Sequence, residues 1–181
     1  MKEVREYATY SIMPDISYKI IEYLMLDNRA EIIWKLLKYP TADAYQKPNL
    51  SLEEKSKLIY RGEAIQSDYN VFLDFMMNDA EDEMKTFLRV YPSEVYPTNR
   101  VHGSCSVNIE VFAHSKINHL YNYRTRVDVI IQALVDILNG ADVGGLGVLF
   151  FDNQADRYNK IQTIGQSPFK GKLLKMSVNI G

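Results

Sequence analysis

Val101-His102-Gly103-Ser104-Cys105-Ser106-Val107-Asn108-Ile109-Glu110-Val111 alternates without a break. Every odd position is apolar or small, and the even positions are His, Ser, Ser, Asn and Glu. Period-two alternation of this length predicts a strand with one buried and one wet face. After a short loop the period changes. From Arg124 to Asn139 a thin polar ridge, Arg124, Asp128, Gln132 and Asp136, recurs every fourth residue. Val127, Ile130, Ile131, Leu134, Val135, Ile137 and Leu138 cover most of the remaining circumference, which predicts one long helix. A sheet covers only one side of a helix, so this much apolar surface asks for a second packing partner.

Strand-like segments lie on both sides of this pair. Thr86 to Tyr91 suits a strand, Val148 to Phe151 a short buried one, and Leu173 to Ile180 alternates again with Leu174, Met176, Val178 and Ile180 on one face. Pro92 and Pro97 argue against a central strand between them, so Tyr91 to Arg100 is expected to leave the sheet edge as an extended loop. Gly140 follows the helix where a left-handed residue closes it, and the glycines of 144–147 allow a sharp turn into the sheet. Residues 152–168 are expected to be largely loop. Between 61 and 85 the pattern is ambiguous: Val71 to Met77 suits a strand or a buried helical turn, and Asp79 to Glu83 a solvated loop or a helix start.

Upstream the spacing is helical. Asp15 is the expected N-cap of a helix carrying Ile16, Ile20, Ile21, Leu24 and Met25. Asn28-Arg29-Ala30-Glu31 suggests a variant capping box opening a second helix, which Pro40 ends, with Trp34 beside its apolar stripe as a packing residue. Ser51-Leu52-Glu53-Glu54 is a capping box for a short third helix to about Tyr60, with Leu50 as its staple. The expected fold is α+β: a mostly antiparallel sheet with one long helix packed on it, preceded by an N-terminal helical layer. Residues 1–181 form one domain, with 1–65 the helical layer and 86–181 the sheet-plus-helix core.

The 181 residues, 46% hydrophobic and 24% charged, suffice for a sizeable core. A net charge of −2 argues against a dedicated nucleic-acid binder. Thirteen tyrosines fit either an interface-rich protein or a codon bias. Cys105 is alone, so no internal disulfide or cysteine metal site is expected. The start lacks the apolar run of a secretory signal, and no stretch is long enough to span a bilayer, so cytoplasmic assembly without membrane contact is expected.

The search for chemistry yields little. His102, His114 and His119 match no zinc-ligand spacing, even with Glu110 near, and the acidic group Asp79, Glu81, Asp82 and Glu83 lacks the turn glycine of a calcium loop. Glu110-Val111-Phe112 sets a hydrophobe where a magnesium-dependent nuclease needs its lysine. The 144–147 glycines have no Lys-Ser/Thr ending and so form no phosphate loop. Lys160, Lys170, Lys172 and Lys175 suit edge protection better than phosphate contact. No enzyme, cofactor or metal is expected.

Two runs carry a resemblance: Leu88-Arg89-Val90-Tyr91-Pro92-Ser93-Glu94-Val95-Tyr96-Pro97-Thr98-Asn99-Arg100, and Ile117-Asn118-His119-Leu120-Tyr121-Asn122-Tyr123-Arg124-Thr125-Arg126-Val127-Asp128 with its helix ending Leu138-Asn139-Gly140. With the alternating strand between them they resemble neck proteins of tailed bacteriophages, the tail-terminator or head-tail joining class. The resemblance is best over 86–181. It implies a structural virion subunit, assembled in the host cytoplasm into a ring of six or twelve copies between the portal or connector and the tail tube. DNA would pass through the channel without sequence recognition. A ring would also supply the partner that the apolar helix asks for. The candidate interface residues on this reading are Tyr91, Glu94, Tyr96 and Arg100 of the extended loop, Asn108 and Glu110 of the polar strand face, and Asp128, Gln132 and Asp136 of the helix ridge. The alternative is a small non-enzymatic adaptor, dimeric, using helix 124–139 as its partner face.

Overall fold

The computed structural model describes residues 10–62, 69–75, 83–97, 99, 103–151, 159–165 and 167–180. The chain begins with a 3-10 turn, Tyr10–Asp15, that runs directly into α1 (Ile16–Leu26). Asp15 is itself helical in backbone and makes no capping hydrogen bond with its side chain, contrary to expectation. The next cap is Asp27 rather than Asn28. Its carboxylate accepts from the Arg29 N–H and opens a 3-10 turn that continues into α2 (Glu31–Lys38). The predicted capping box at Ser51 is present and opens α3 (Leu52–Lys57). Trp34 is fully buried and its ring N–H donates to Leu24 O at 2.9 Å, fixing α2 against α1.

Among the described residues seven strands follow: β1 (Val71–Phe72), β2 (Thr86–Pro97), β3 (Gly103–His114), then, after α4 (Arg126–Leu138), β4 (Asp142–Val143), β5 (Gly147–Phe150), β6 (Lys160–Ile164) and β7 (Phe169–Ile180). They form one curled sheet in the order β1-β2-β3-β7-β5-β4, with β6 also on β7. The sheet is mixed, because β1 runs parallel to β2. β3 pairs antiparallel with both β2 and β7 along its whole length, so the alternating strand lies at the centre.

The expected architecture therefore needs correction. The fold is α+β, but not one long helix packed on a sheet: a curled mixed sheet, antiparallel except where β1 joins β2, bears several short helices. α4 has 13 residues, because Thr125 caps it through the Asp128 N–H and the preceding Arg124 stays outside. It shares the covered sheet face with α1 and α2, which lie over β2 while α4 lies over β3 and β7. The second partner that the apolar helix demanded is α2 of the same chain: Ile130, Ile131, Leu134 and Leu138 are buried in one cluster with Ile33, Leu36, Ile109 and Met176. Burying such side chains stabilises the fold by about 2 kcal/mol each.

One charged residue holds this helical layer together. Arg126, in the first turn of α4, is fully buried and faces the end of α2. Its Nη1 donates to Leu36 O at 2.7 Å and Tyr39 O at 2.8 Å, Nη2 to Thr41 O at 2.9 Å, and Nε to Ile117 O at 3.1 Å. The last carbonyls of a helix lack intrahelical donors and carry partial negative charge, so a guanidinium there satisfies both needs. Burial pushes its pKa down to about 10, still well above neutrality, so it keeps its charge. Lys55 acts similarly for α3, donating to Met25 O at 3.0 Å and pairing with Glu31.

The expected loop from Tyr91 is a second correction, since β2 continues through both prolines to Pro97. β1 accompanies β2 only at Leu88 and Arg89, which leaves the rest of its outer edge unpaired among the described strands. Proline is tolerated on such an edge because no ladder donor is needed there. The pairing with β3 shifts register between Pro92 and Glu94, the mark of a bulge.

Candidate interaction surface

The helices cover the face of the sheet that carries Cys105, Val107, Ile109 and Val111, all buried. The opposite face has no helix on it among the described residues. Register alone builds this open face, because residues directly opposite share a side. Phe87 stands beside Phe112, Arg89 beside Glu110, Tyr91 beside Asn108, Glu94 beside Ser106, and Tyr96 beside Ser104. β7 adds Gly171, Leu173, Lys175, Ser177 and Asn179 in the same rows, and β6 adds Lys160, Gln162 and Ile164.

One end of this face is aromatic. Phe87 and Phe112 stack at 5.0 Å between centroids, and Phe169 meets Phe87 edge-on at 5.2 Å. Gly171 makes room for this: a Cβ there would lie 2.5 Å from Phe112 Cδ1. Arg89 sits over the Phe112 ring, its guanidinium carbon 4.9 Å from the centroid, and begins the polar part of the face. It lies 3.3 Å from Glu110 and donates to Phe75 O at 2.6 Å. The Tyr91 hydroxyl donates to Glu110 Oε1 at 2.7 Å. Burial, and then the Glu110 carboxylate, raise its pKa above the ordinary tyrosine value, so it remains a donor. Ser93 donates to Asn108 Oδ1 at 3.2 Å. Lys175 reaches across β3 to pair with Glu94, and its hydrogen bond, then one from Tyr96, hold the Glu94 carboxyl below its ordinary pKa. Ser177 donates to Asn159 at 2.8 Å, and both are buried. The face expected to be wet is thus half covered by its own ion pairs and hydrogen bonds.

Of the nine predicted interface residues, Tyr91, Glu94, Tyr96, Asn108 and Glu110 come together here. Asp128, Gln132 and Asp136 do not: they are exposed on α4, on the other side of the sheet. Gln132 donates to Asp136 at 2.7 Å, while Asp128 pairs with Lys172. Arg100 lies outside the described residues, as do His102, residues 152–158 with Tyr158, and Asp79, Glu81 and Asp82 of the acidic group. A dimer built on helix 124–139 would find only this polar ridge, the apolar face being covered by α2 and the sheet. Sequence spacing missed Arg89 and Lys175. Lysines 170, 172 and 175 belong to β7, an interior strand, so they do not protect an edge. The signal for Lys175 was its position in a strand opposite Asn108, which needs the β3–β7 register to be seen.

Two strand edges border the open face. Ser93, Glu94, Tyr96 and Pro97 of β2 are exposed, and so are Lys160 to Thr163 of β6, with Ile161 at 44%. A third exposed feature is the turn before α4. Tyr121 is 70% and Tyr123 100% exposed, and Tyr123 has φ +60°, held by its own N–H to Leu120 O at 3.2 Å and by Leu120 N–H to Arg124 O at 3.0 Å.

Among the described residues no three His, Cys, Asp or Glu side chains are grouped to hold a metal ion. His114 accepts from the Lys116 N–H at 3.2 Å and packs edge-on against Phe169. A cleft of about 350 Å³ between α4 and the ends of β6 and β7 is lined by His119, Asp128, Thr163, Lys170 and Lys172. Asp128 and Lys172 pair with each other there. No described helix is long and apolar enough to cross a membrane.

One family model, YomW, matches residues 30–172, from the start of α2 into β7. No curated protein matches the chain.

Proposed function

The chain belongs to the YomW family, named like a protein of a Bacillus phage region and so pointing to a phage-derived protein, and from there we propose that it is a structural subunit of the virion neck. It assembles in the host cytoplasm into a closed ring of six or twelve copies at the head-tail junction, as tail terminator or connector adaptor. The ring contacts the portal or connector on one side and the tail tube on the other. DNA passes through it without sequence recognition.

The observation that carries this reading is a pair of strand edges on opposite sides of one sheet: the outer edge of β2 beyond its short pairing with β1, and that of β6. A ring needs two different patches on each subunit, facing away from each other, so that head meets tail and rotation closes the circle. The resemblance of residues 86–181 to neck proteins supports the same reading. The test is quantitative peptide analysis of purified particles from a phage that encodes the chain, with a major capsid protein as the standard. Six or twelve copies per particle are expected. A chain abundant in infected cells and absent from purified particles would overturn the proposal.

A further inference from the structure

We propose that β6 of one subunit pairs antiparallel with the outer edge of β2 of the next copy, joining the sheets of neighbouring subunits edge to edge. This rests on the ring reading and names the contact that would close it.

Strand direction is the first argument. β2 is antiparallel to β3, β3 to β7, and β7 to β6. β6 therefore runs in the sense of β3, and a β2 placed beside it continues the antiparallel alternation. Length is the second. β6 has five residues, and the run of β2 beyond the bulge, Glu94 to Pro97, has four. Pro92 and Pro97 lack a backbone N–H and so bound the ladder to the residues between them.

Side-chain match is the third argument. With Tyr96 opposite Lys160, residues of the open face meet residues of the open face, as a continuous sheet requires. Glu94, which already pairs with Lys175 of its own chain, then falls opposite Gln162 and diagonal to Lys160. On the helix side Val95 falls opposite Ile161, which is 44% exposed in the single chain. Each edge is used once per subunit, and β1 occupies the β2 edge only at Leu88 and Arg89, outside the proposed contact.

Edge strands are often blunted against uncontrolled pairing by lysine, proline or a bulge. Here β2 has the bulge and prolines, and β6 has one lysine at its end followed by uncharged Ile161, Gln162 and Thr163. An edge protected at β2 and bare at β6 resists β2–β2 pairing and leaves the mixed pair, which is the asymmetry a head-to-tail contact uses.

Disulfide trapping tests this directly, because Cys105 is the chain's sole cysteine and is fully buried. Tyr96→Cys and Lys160→Cys change exposed positions. Under mild oxidation the double variant should give a disulfide-linked ladder ending at the ring number. A mixture of the two single variants should give dimers containing one of each, and either single variant alone should stay unlinked. Glu94→Cys with Gln162→Cys is the second pair, used if the first lowers the melting temperature. Rings seen by electron microscopy but unlinked in both double variants would overturn the edge contact and leave the ring standing. Linked dimers from Lys160→Cys alone would overturn it in favour of β6–β6 pairing. A wild-type chain that forms no ring overturns the neck reading and this contact with it.

Discussion

Replacing Arg126 with Met removes a buried cation and leaves most of its volume filled. Four main-chain carbonyls, of Leu36, Tyr39, Thr41 and Ile117, lose their guanidinium donor. A buried acceptor deprived of its partner costs about 1 kcal/mol at the low end of the measured range, and hydrogen bonds from a charged donor are worth more. Against this, the variant no longer holds a charge away from water, which recovers part of the loss. The expected net destabilisation is about 3 kcal/mol. With a urea dependence of about 2 kcal/mol per molar, the midpoint should fall by about 1.5 M. Arg124→Met is the control: Arg124 is exposed two residues away, and its loss should move stability by no more than about 0.5 kcal/mol. Arg126→Lys should recover only a fraction, because one ammonium cannot span acceptors arranged around a planar fork. Equal urea midpoints for Arg126→Met and Arg124→Met would refute the idea that this guanidinium joins the α2 end to α4.

Two further outcomes follow from the same structure. Gly171→Ala would place a Cβ 2.5 Å from the Phe112 ring and 3.1 Å from Val111 O, and should cost about 1–3 kcal/mol in thermal or urea unfolding; Phe112→Leu in the same chain should restore part, and an unchanged stability would contradict the packing. Glu54 has its carboxyl pKa lowered from 4.5 to about 2, first by the Lys38 hydrogen bond and then by Ser51. The folded state therefore binds fewer protons than the unfolded state between those values, so this stabilisation is complete above about pH 4.5 and is lost as the pH falls toward 2. Melting temperature should fall less steeply below pH 4.5 in Glu54→Gln than in the wild type; parallel curves would contradict the assignment.

Much of the fold is legible as periodicity. The alternation from Val101 to Val111 and the four-residue ridge from Arg124 to Asn139 depend only on which side of an element is buried; the strand is described at Gly103–His114, and the helix is shorter than expected, Arg126–Leu138. The Ser51 capping box is legible because all its partners lie within four residues. What escaped depends on contacts distant in sequence. Pro92 and Pro97 argue against a strand until β2 is known to sit at an edge. Arg126 lies next to the polar positions of its helix, and nothing local shows that the end of α2, about 90 residues earlier, supplies its acceptors. The surplus apolar surface of α4 was legible, but whether its partner is another subunit or another helix of the same chain is a tertiary fact, and here it is α2. The candidate surface divides in the same way. Register gathers Tyr91, Glu94, Tyr96, Asn108 and Glu110 on one face, and sends Asp128, Gln132 and Asp136 to the other side of the sheet.

The neck-ring account stands or falls most directly on the mass of the purified chain in solution, by light scattering behind a sizing column with negative-stain images of the leading peak. The account predicts a closed particle of six or twelve times the 20.9 kDa chain. A chain that remains a monomer or a dimer across the whole concentration range, and also when mixed with its phage's portal and tail tube, would contradict it.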